Sequence, residues 1–303
     1  MNAQIQRLQV LLRLLLAGGL LVWLWPAEGP LVALTWAALG FWGYGLVMLL
    51  GFLALPLINR GEATPAPALP GLLRAWWQEF WACERVFAWQ QPFRAACEPD
   101  HLPDVANAAN GRRGVLLLHG YSCNRGLWNG WLARLRARGH ACIALTMEPA
   151  FGSIDAYADE IEAALRRLER ATGMAPLVVA HSMGGLALRA WWRRHGCGDA
   201  GRLHRGITLG TPHAGTVMAA LGSATNARQM RRAGAWLGEL GAAETPAFRA
   251  RLICYYSNAD QVVCPAGTAA LAGAEARYKP GLGHLRLVFD PGLFAEVLTE
   301  LDA

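Results

Sequence analysis

The sequence predicts an α/β domain with a mostly parallel central sheet, preceded by a transmembrane helical region. Short apolar runs alternate with longer amphipathic stretches from Gly114 onward, which is typical of parallel strands covered by helices on both faces. Before them, no charged residue occurs between Leu31 and Ile58. We therefore predict three parts: membrane helices in residues 1–60, a linker with a tryptophan-rich helix in residues 61–110, and the α/β domain in residues 111–303.

The uncharged stretch at residues 31–58 is long enough to cross a bilayer. As a helix it would reach about 42 Å, against roughly 30 Å for the hydrocarbon core. An apolar stretch at residues 8–25 precedes it and is interrupted by Arg13, whose side chain can reach the headgroups from near a helix end. We predict a hairpin of two membrane helices, at about residues 8–25 and 31–58, joined by a tight turn at residues 26–30.

The alternative for the first stretch is a secretory signal peptide or a single anchor. Cleavage requires small residues, whereas "WLWPAEGP" places tryptophan and proline there. Arginines flank the predicted hairpin on both sides and the turn holds only Glu28; these arginines are Arg7, Arg13, Arg60, Arg74 and Arg85. By the positive-inside rule, both ends face the cytoplasm.

The segment after the hairpin begins with the proline- and alanine-rich linker at residues 61–71, which does not suit a regular helix. Beyond it, Leu73, Trp77, Phe80 and Trp81 recur three or four residues apart, which predicts a short amphipathic helix. Such a helix either lies on the bilayer surface or packs on the α/β domain, and the sequence favours neither.

Composition excludes several classes of function. The net charge is +6 and Lys279 is the only lysine, but no basic motif interleaved with aromatics is present, so we predict no nucleic-acid partner. Attraction to anionic lipid headgroups explains the charge more simply. Seven cysteines without a C-x-x-C pair argue against a disulfide framework or a zinc site and leave room for one disulfide. We predict no cofactor and no bound metal.

The alternation after Gly114 predicts five strands and several helices. The clearest helix covers residues 154–170, where acids come early and arginines late, as the helix dipole prefers. The predicted strands are residues 115–118, 142–146, 177–180, 206–209 and 252–255.

Ser182 lies between an apolar run and a predicted helix, in "VVAHSMGGLALR". This is the nucleophile pattern G-x-S-x-G with Ala180 at the first glycine. A sharp strand-to-helix turn brings positions −2 and +2 together and requires small residues there, and Ala180 and Gly184 are both small. The serine would then project from the carboxyl end of the strand. The alternative is an ordinary connection.

The loop at "LLLHGY" follows the first predicted strand. Tyr121, after His119 and Gly120, is placed to offer its backbone N–H to an oxyanion beside the N–H of Met183. For His119 we favour a structural hydrogen bond that holds the loop.

These motifs resemble those of the α/β-hydrolase superfamily, and within it the bacterial lipases and esterases. The resemblance rests on "LLLHGY", "AHSMGGLALR", "ITLGTPHAGT", "YYSNADQVVCP" and "GLGHLRLV", which occur in the family's order from about Val115 to the C-terminus. Alanine at the first elbow position is itself similar to one subgroup, the small bacillus lipases.

The resemblance implies a triad in the order Ser182, Asp260, His284. Asp260 follows a predicted strand and His284 follows two glycines in a C-terminal loop. The competing histidines are His181, beside the serine and expected to point away, His213 in "TPHAGT", and His195 near the far end of a helix.

Other residues fit structural interpretations better. Asp290 before proline is expected to cap a helix. Cys123 has no activating base beside it and is interpreted as an ordinary thiol. Residues 217–249, between "TPHAGT" and the acid loop, are expected to be helical. The resemblance implies that they form a wall of the acyl pocket, and the alternative is a pair of plain surface helices.

The combined hypothesis is a multi-pass serine hydrolase of the bacterial inner membrane, facing the cytoplasm, which cleaves carboxylic esters of lipids. An acyltransferase or thioesterase with the same triad is the first alternative, because the acyl-enzyme is common to all of them. A membrane scaffold with an inactive hydrolase-like domain is the second. Head group, acyl-chain length and oligomeric state are not predicted.

Overall fold

A computed structural model describes residues 1–103, 112–196 and 199–302. The predicted boundary at residues 110 and 111, Cys197 and Ala303 lie outside the described residues. Six parallel strands form one sheet in the order β2-β1-β3-β4-β5-β6. The strands are Val115–Leu118 (β1), Cys142–Ala144 (β2), Leu177–His181 (β3), Arg205–Leu209 (β4), Leu252–Tyr256 (β5) and Glu275–Tyr278 (β6).

In the described ranges the α-helices lie before the first strand, between the strands and after the last strand. They are Asn2–Glu28 (α1), Pro30–Trp42 (α2), Tyr44–Ile58 (α3), Leu69–Cys83 (α4), Gln91–Phe93 (α5), Asn129–Arg136 (α6), Ala158–Thr172 (α7), Met183–Trp191 (α8), Thr225–Gln229 (α9), Ala235–Ala243 (α10), Pro246–Arg249 (α11), Arg286–Phe289 (α12) and Pro291–Asp302 (α13). The predicted α/β class is confirmed.

Strands β1, β2 and β3 are buried along their whole length, and they are mainly apolar on both faces. In β1, Leu116 and Leu118 contribute to one core cluster, whereas Val115 and Leu117 contribute to the cluster on the other face. Removing one such side chain, as in Leu117→Ala, costs about 2–5 kcal/mol. Since all strands are parallel, their carboxyl ends meet at one edge, where the loops after β1, β3 and β5 come together.

The apolar N-terminal region forms three helices. The helix predicted at residues 8–25 is part of the longer helix α1, Asn2–Glu28. The chain turns from α1 into α2 at Gly29, which has a φ of 81°. The predicted helix at residues 31–58 is two helices, α2 and α3, bent by 59° at Gly43. Of the described helices, only α1 is by itself long and apolar enough to cross a membrane; α2 and α3 qualify only as a bent pair.

Both ends of this region pack on the α/β domain. The Asn2 amide donates to the Cys123 carbonyl at 2.6 Å, and the Asn59 amide donates to the Asn258 carbonyl at 3.2 Å. Phe52 and Leu55 of α3 are fully buried in a cluster that includes residues of the loop after β5. Arg13 is paired with Glu84 at 2.7 Å and is thus neutralised inside the protein.

The tryptophan-rich helix is α4, and it packs on the α/β domain, the second of the two predicted placements. Its buried face packs on the α/β domain and includes Leu72 and Glu79. On the opposite face, Trp77 and Trp81 are about half exposed, at 53% and 48%. A π-helical turn, Glu84–Gln90, continues it toward α5.

Candidate active site

Ser182 occupies a strained turn between β3 and α8. Its φ of 55° and ψ of −126° lie in a region that non-glycine residues adopt rarely, at a cost of roughly 1–3 kcal/mol. Two hydrogen bonds hold this conformation. The Ser182 N–H donates to the Leu209 carbonyl at 2.9 Å, and the Thr211 hydroxyl donates to the Ser182 carbonyl at 2.8 Å.

The small residues around the elbow are explained by the approach of α8 to β1. A Cβ on Gly184 would lie 2.6 Å from the Leu118 oxygen and 2.7 Å from the His119 oxygen. These backbone atoms, rather than the side chain at position 180, are its nearest neighbours. Ala180 is fully buried in the core, so its methyl group packs where the pattern usually has glycine.

The predicted oxyanion residues lie beside Ser182. A Cβ on Gly120 would lie only 2.8 Å from the Ser182 Cβ, and Tyr121 lines the same cavity as Ser182. Met183 begins α8, so its N–H has no partner within the helix. The oxyanion role of Tyr121 and Met183 stays a prediction.

His119 supports the loop that carries Gly120. Its Nε2 accepts the Met147 N–H at 2.9 Å, which leaves Nδ1 to donate to the Gly120 carbonyl at 2.8 Å. Burial lowers the pKa of His119 to about 4, so this imidazole is neutral. The arrangement suits a structural hydrogen-bonding role.

Asp260 and His284 form a buried pair. The His284 Nδ1 lies 2.8 Å from Asp260 Oδ2, while Asp260 Oδ1 accepts the N–H groups of Val262 at 2.9 Å and Val263 at 2.7 Å. The carboxylate is therefore fixed by its own loop, and it orients the imidazole with Nε2 on the far side of the ring.

The electrostatics of the pair favour the protonated imidazole. Burial alone would lower the pKa of His284, but the charge of Asp260 and its hydrogen bond outweigh burial, with a smaller contribution from Glu79. The pKa of His284 therefore lies above the ordinary value of 6.5. A base of this kind stabilises the positive charge that it acquires when it accepts a proton.

Gly210 lies between the turn of Ser182 and the pair of Asp260 and His284. It follows Leu209, which bonds the Ser182 N–H, and a Cβ on it would lie 2.8 Å from Asp260 Oδ2 and 3.2 Å from His284 Nδ1. Among the described residues no hydrogen bond joins the side chains of Ser182 and His284. Contacts of this type often tighten only when substrate is bound.

The competing residues have other partners. His213 lies 3.0 Å from the Thr208 hydroxyl, and His195 pairs with Asp159 near the surface. We expected His181 to point away from the site. Instead its ring packs on His284, with 4.4 Å between the two ring centroids. Burial lowers the pKa of His181 well below the usual range, which makes it a poor base.

Cys123 is buried, and burial raises the pKa of its thiol to about 11. A thiol with this pKa is a poor nucleophile at neutral pH. The six cysteines in the described ranges are free, and no cluster of three or more metal-ligating side chains occurs there.

An apolar cavity of about 320 Å³ opens beside Ser182. Short helical turns from the predicted pocket-wall segment line it, with Met218 and Leu221 at the rim, 40% and 81% exposed. Val263, next to the Asp260 loop, lines the opposite side. The segment at residues 217–249 thus forms short helices, as expected.

Helix α3 packs on residues that are next in the chain to the lining of this cavity. Val217, which begins the turn carrying Met218, packs on the cluster of Phe52 and Leu55, and a Cβ on Gly51 would contact the Gln261 side chain at 3.8 Å. The apolar N-terminal region is therefore part of the surroundings of the site.

Sequence reasoning missed one residue beside His284. Glu79 of α4 is 1% exposed, and its carboxylate accepts N–H groups from the histidine loop. The signal was an acid on the apolar face of an amphipathic helix, seven residues after Leu72 and four after Ala75.

The parallel sheet, the turn at Ser182 and the loops of Asp260 and His284 define an α/β-hydrolase fold. The mature form of a lipase from Bacillus licheniformis is similar, with a TM-score of 0.55 and 16% identity over 68% of this chain and 96% of that one. Lipase B of Aspergillus fumigatus gives a TM-score of 0.57 and 17% identity over 67% of this chain and 56% of that one. No protein-family model and no curated protein matches the sequence.

Proposed function

We propose that the chain is a membrane-anchored serine hydrolase that cleaves carboxylic ester bonds of lipids. The observation that carries the proposal is the strained Ser182 at the sheet edge where Asp260 and His284 are paired at 2.8 Å. Strained backbone persists where surrounding contacts hold it, and it concentrates at functional sites.

In the proposed reaction, Ser182 Oγ attacks the ester carbonyl carbon while His284 Nε2 accepts its proton. Asp260 orients the ring and stabilises the imidazolium. The N–H groups of Tyr121 and Met183 would hold the oxyanion. His284 then protonates the leaving alcohol, which departs and leaves an acyl-enzyme. Water, deprotonated by the same histidine, attacks the acyl carbon and releases the carboxylic acid and free Ser182.

The membrane part of the proposal rests on α1 and the bent α2–α3 pair. Apolar side chains along them are solvent-exposed, including Trp23 at 73% and Leu31 at 79%, which an aqueous surface seldom tolerates in such number. Arg13 Nε donates to the Phe41 carbonyl at 2.7 Å, so the end of α2 lies beside the middle of α1, as in a hairpin. We propose a multi-pass anchor in a bacterial inner membrane with the α/β domain on the cytoplasmic side.

Lipid esters fit the site better than small polar esters. The cavity is lined mainly by apolar side chains and has an exposed apolar rim at Met218 and Leu221. Because α3 packs on residues next in the chain to its lining, membrane insertion would bring the cavity close to acyl chains and raise their effective concentration.

Labelling with a fluorophosphonate tests the catalytic part. The wild type and the control Ser223→Ala, which changes an exposed serine, should label equally, and Ser182→Ala should not label. Equal labelling of Ser182→Ala would overturn the proposal and favour an inactive scaffold.

A panel of short esters, triacylglycerols and phospholipids in detergent tests the substrate class, with Ser182→Ala as the blank. Activity confined to short soluble esters would contradict the lipid assignment. Product analysis with an added lipid alcohol separates hydrolysis from acyl transfer, because transfer yields a new ester in place of free acid.

The topology has its own test. A reporter fused after the last residue should be active in the cytoplasm. A fusion active only in the periplasm would contradict the hairpin.

A further inference from the structure

Glu79 lies on the buried face of α4, opposite the exposed Trp77 and Trp81. Only 1% of the residue is exposed, and no arginine or lysine is paired with it among the described residues. Burying a carboxylate without a positive partner is costly unless several hydrogen bonds stabilise it. Its environment therefore needs a specific explanation.

The Glu79 carboxylate accepts hydrogen bonds from the backbone of the two residues that follow His284. Oε1 accepts the Leu285 N–H at 2.8 Å and Oε2 accepts the Arg286 N–H at 3.1 Å. Both oxygens are used, and the two donors follow the histidine directly in the chain. A carboxylate can satisfy two such donors, whereas an amide would turn its own NH₂ toward one of them.

Gly283, the residue before His284, also lies against the Glu79 side chain. A Cβ on Gly283 would lie 2.5 Å from Glu79 Oε2 and 2.9 Å from Glu79 Cβ, so no side chain fits there without a shift. The histidine is thus flanked on both sides by residues in contact with Glu79, while Asp260 holds its Nδ1.

The charges around Glu79 are few. Burial raises its pKa, whereas the Leu285 N–H, His284 and the Arg286 N–H act in the opposite direction, and Asp260 adds to the rise. Cys83, one turn further on α4, is also beside it, and burial first, then Glu79, raises the pKa of that thiol.

We propose that Glu79 is a positioning residue for His284, through which helix α4 fixes the histidine loop. The proposal rests on the proposed function, since it assigns Glu79 to the action of that histidine. It also connects the exposed tryptophan face of α4 to the site, because one helix carries both Trp77 and Glu79.

Glu79→Gln tests the proposal in the full chain, with Glu84→Gln as the matched control. Glu84 undergoes the same chemical change but pairs with Arg13, away from the histidine loop. The active fraction of each preparation is first titrated with a fluorophosphonate, and kcat and KM for a short soluble ester are then measured against pH.

We expect Glu79→Gln to lower kcat per labelled site by about 10- to 100-fold with little change in KM, because the imidazole is misplaced. The acid limb of kcat/KM should move to lower pH by about half a unit, because a nearby negative charge is lost. Glu84→Gln should keep the wild-type limb. If Glu79 had a purely structural role, Glu79→Gln would reduce the fraction of protein that labels, and kcat per labelled site and the acid limb would stay at their wild-type values.

Unchanged kcat per labelled site together with an unchanged acid limb would overturn the inference. If Glu79→Gln does not fold, Glu79→Asp carries the test: it keeps the charge, so it should lower kcat while the acid limb stays near its wild-type position, and a wild-type kcat would contradict the inference. If the wild type itself fails to label at Ser182, the proposed function fails instead, which distinguishes the two.

Discussion

Gly120 and Ser182 approach each other so closely that a Cβ at position 120 would lie 2.8 Å from the serine Cβ. Real Cβ atoms do not come so close, so either the loop or the serine must shift when a side chain is added. A side chain at position 120 would therefore displace Ser182, the proposed nucleophile, or the loop after β1.

The first prediction concerns this contact. Gly120→Ala should lower kcat/KM by roughly 10²-fold, because a displacement of about 1 Å at the reacting atoms has such an effect. The measurement is ester hydrolysis together with the rate of fluorophosphonate labelling. Gly238→Ala is the control, since a Cβ there meets nothing within 4 Å; equal activity of both variants would contradict the proposed geometry.

The second prediction concerns Asp260, the acid of the proposed triad. Asp260→Asn should lower kcat by roughly 10³–10⁴-fold, because the amide cannot hold the same tautomer of His284 or stabilise its positive charge. Asp290→Asn is the matched control. Asp290 caps α13 by accepting the Leu293 N–H at 2.7 Å, and asparagine caps equally well, so its activity and melting temperature should stay near wild type.

The third prediction is the pH dependence of activity. The reaction needs neutral His284 as base, and its pKa is raised above 6.5. The value of kcat/KM should therefore rise with pH to a plateau, with its midpoint above 6.5. A midpoint well below 6.5 would show that Asp260 does not outweigh burial in the free enzyme.

The raised pKa of His284 affects stability in the opposite direction: activity should rise with pH, whereas the stabilisation from His284 should fall. A histidine whose pKa is raised on folding stabilises the protein fully below its unfolded pKa, and this contribution is lost as pH rises through the folded value. The melting temperature of the wild type relative to His284→Gln should therefore be highest below the unfolded pKa, should decline as pH rises through the folded pKa, and should not fall further above it. A difference that grows with pH would contradict this.

The fourth prediction tests the apolar rim. Leu221→Asp should reduce hydrolysis of long-chain lipid esters several-fold more than hydrolysis of short esters, because a charge at the mouth opposes entry of an acyl chain. Folding should be unaffected, since Leu221 is 81% exposed. Ser223→Asp places the same charge two residues away, outside the cavity lining. If both variants show the same fall in the ratio of long-chain to short-ester activity, the rim has no specific role.

Much of the fold could be predicted from sequence because the inner strands are fully buried. Their uninterrupted apolar runs, such as β1, gave boundaries within one or two residues of those observed. Strand β6 was missed because "EARY" at its position is exposed or half-buried and therefore lacks an apolar run. Short edge strands depend on pairing with a neighbour, which local sequence does not reveal.

The site was predictable where one short motif positions a residue, and less so where distant elements meet. The strained turn at Ser182 follows from the strand, the serine and the small residues around it. In contrast, Glu79 lies 205 positions before His284 (284 − 79), and its role depends on how α4 packs. The bend at Gly43 was also missed, because a glycine within an apolar helix does not by itself predict a kink.

The packing of the N-terminal helices limits how this chain can be divided. Asn59, at the end of α3, donates to the Asn258 carbonyl and accepts the Ala266 N–H at 3.1 Å, so it holds the loop of Asp260 from both sides. A chain cut after residue 60 would lose these bonds and uncover the surface beneath Phe52. Removing α1 to α3 to obtain the α/β domain alone would therefore also remove contacts that hold the loop of Asp260, and the intact chain is the better starting point for a folded preparation.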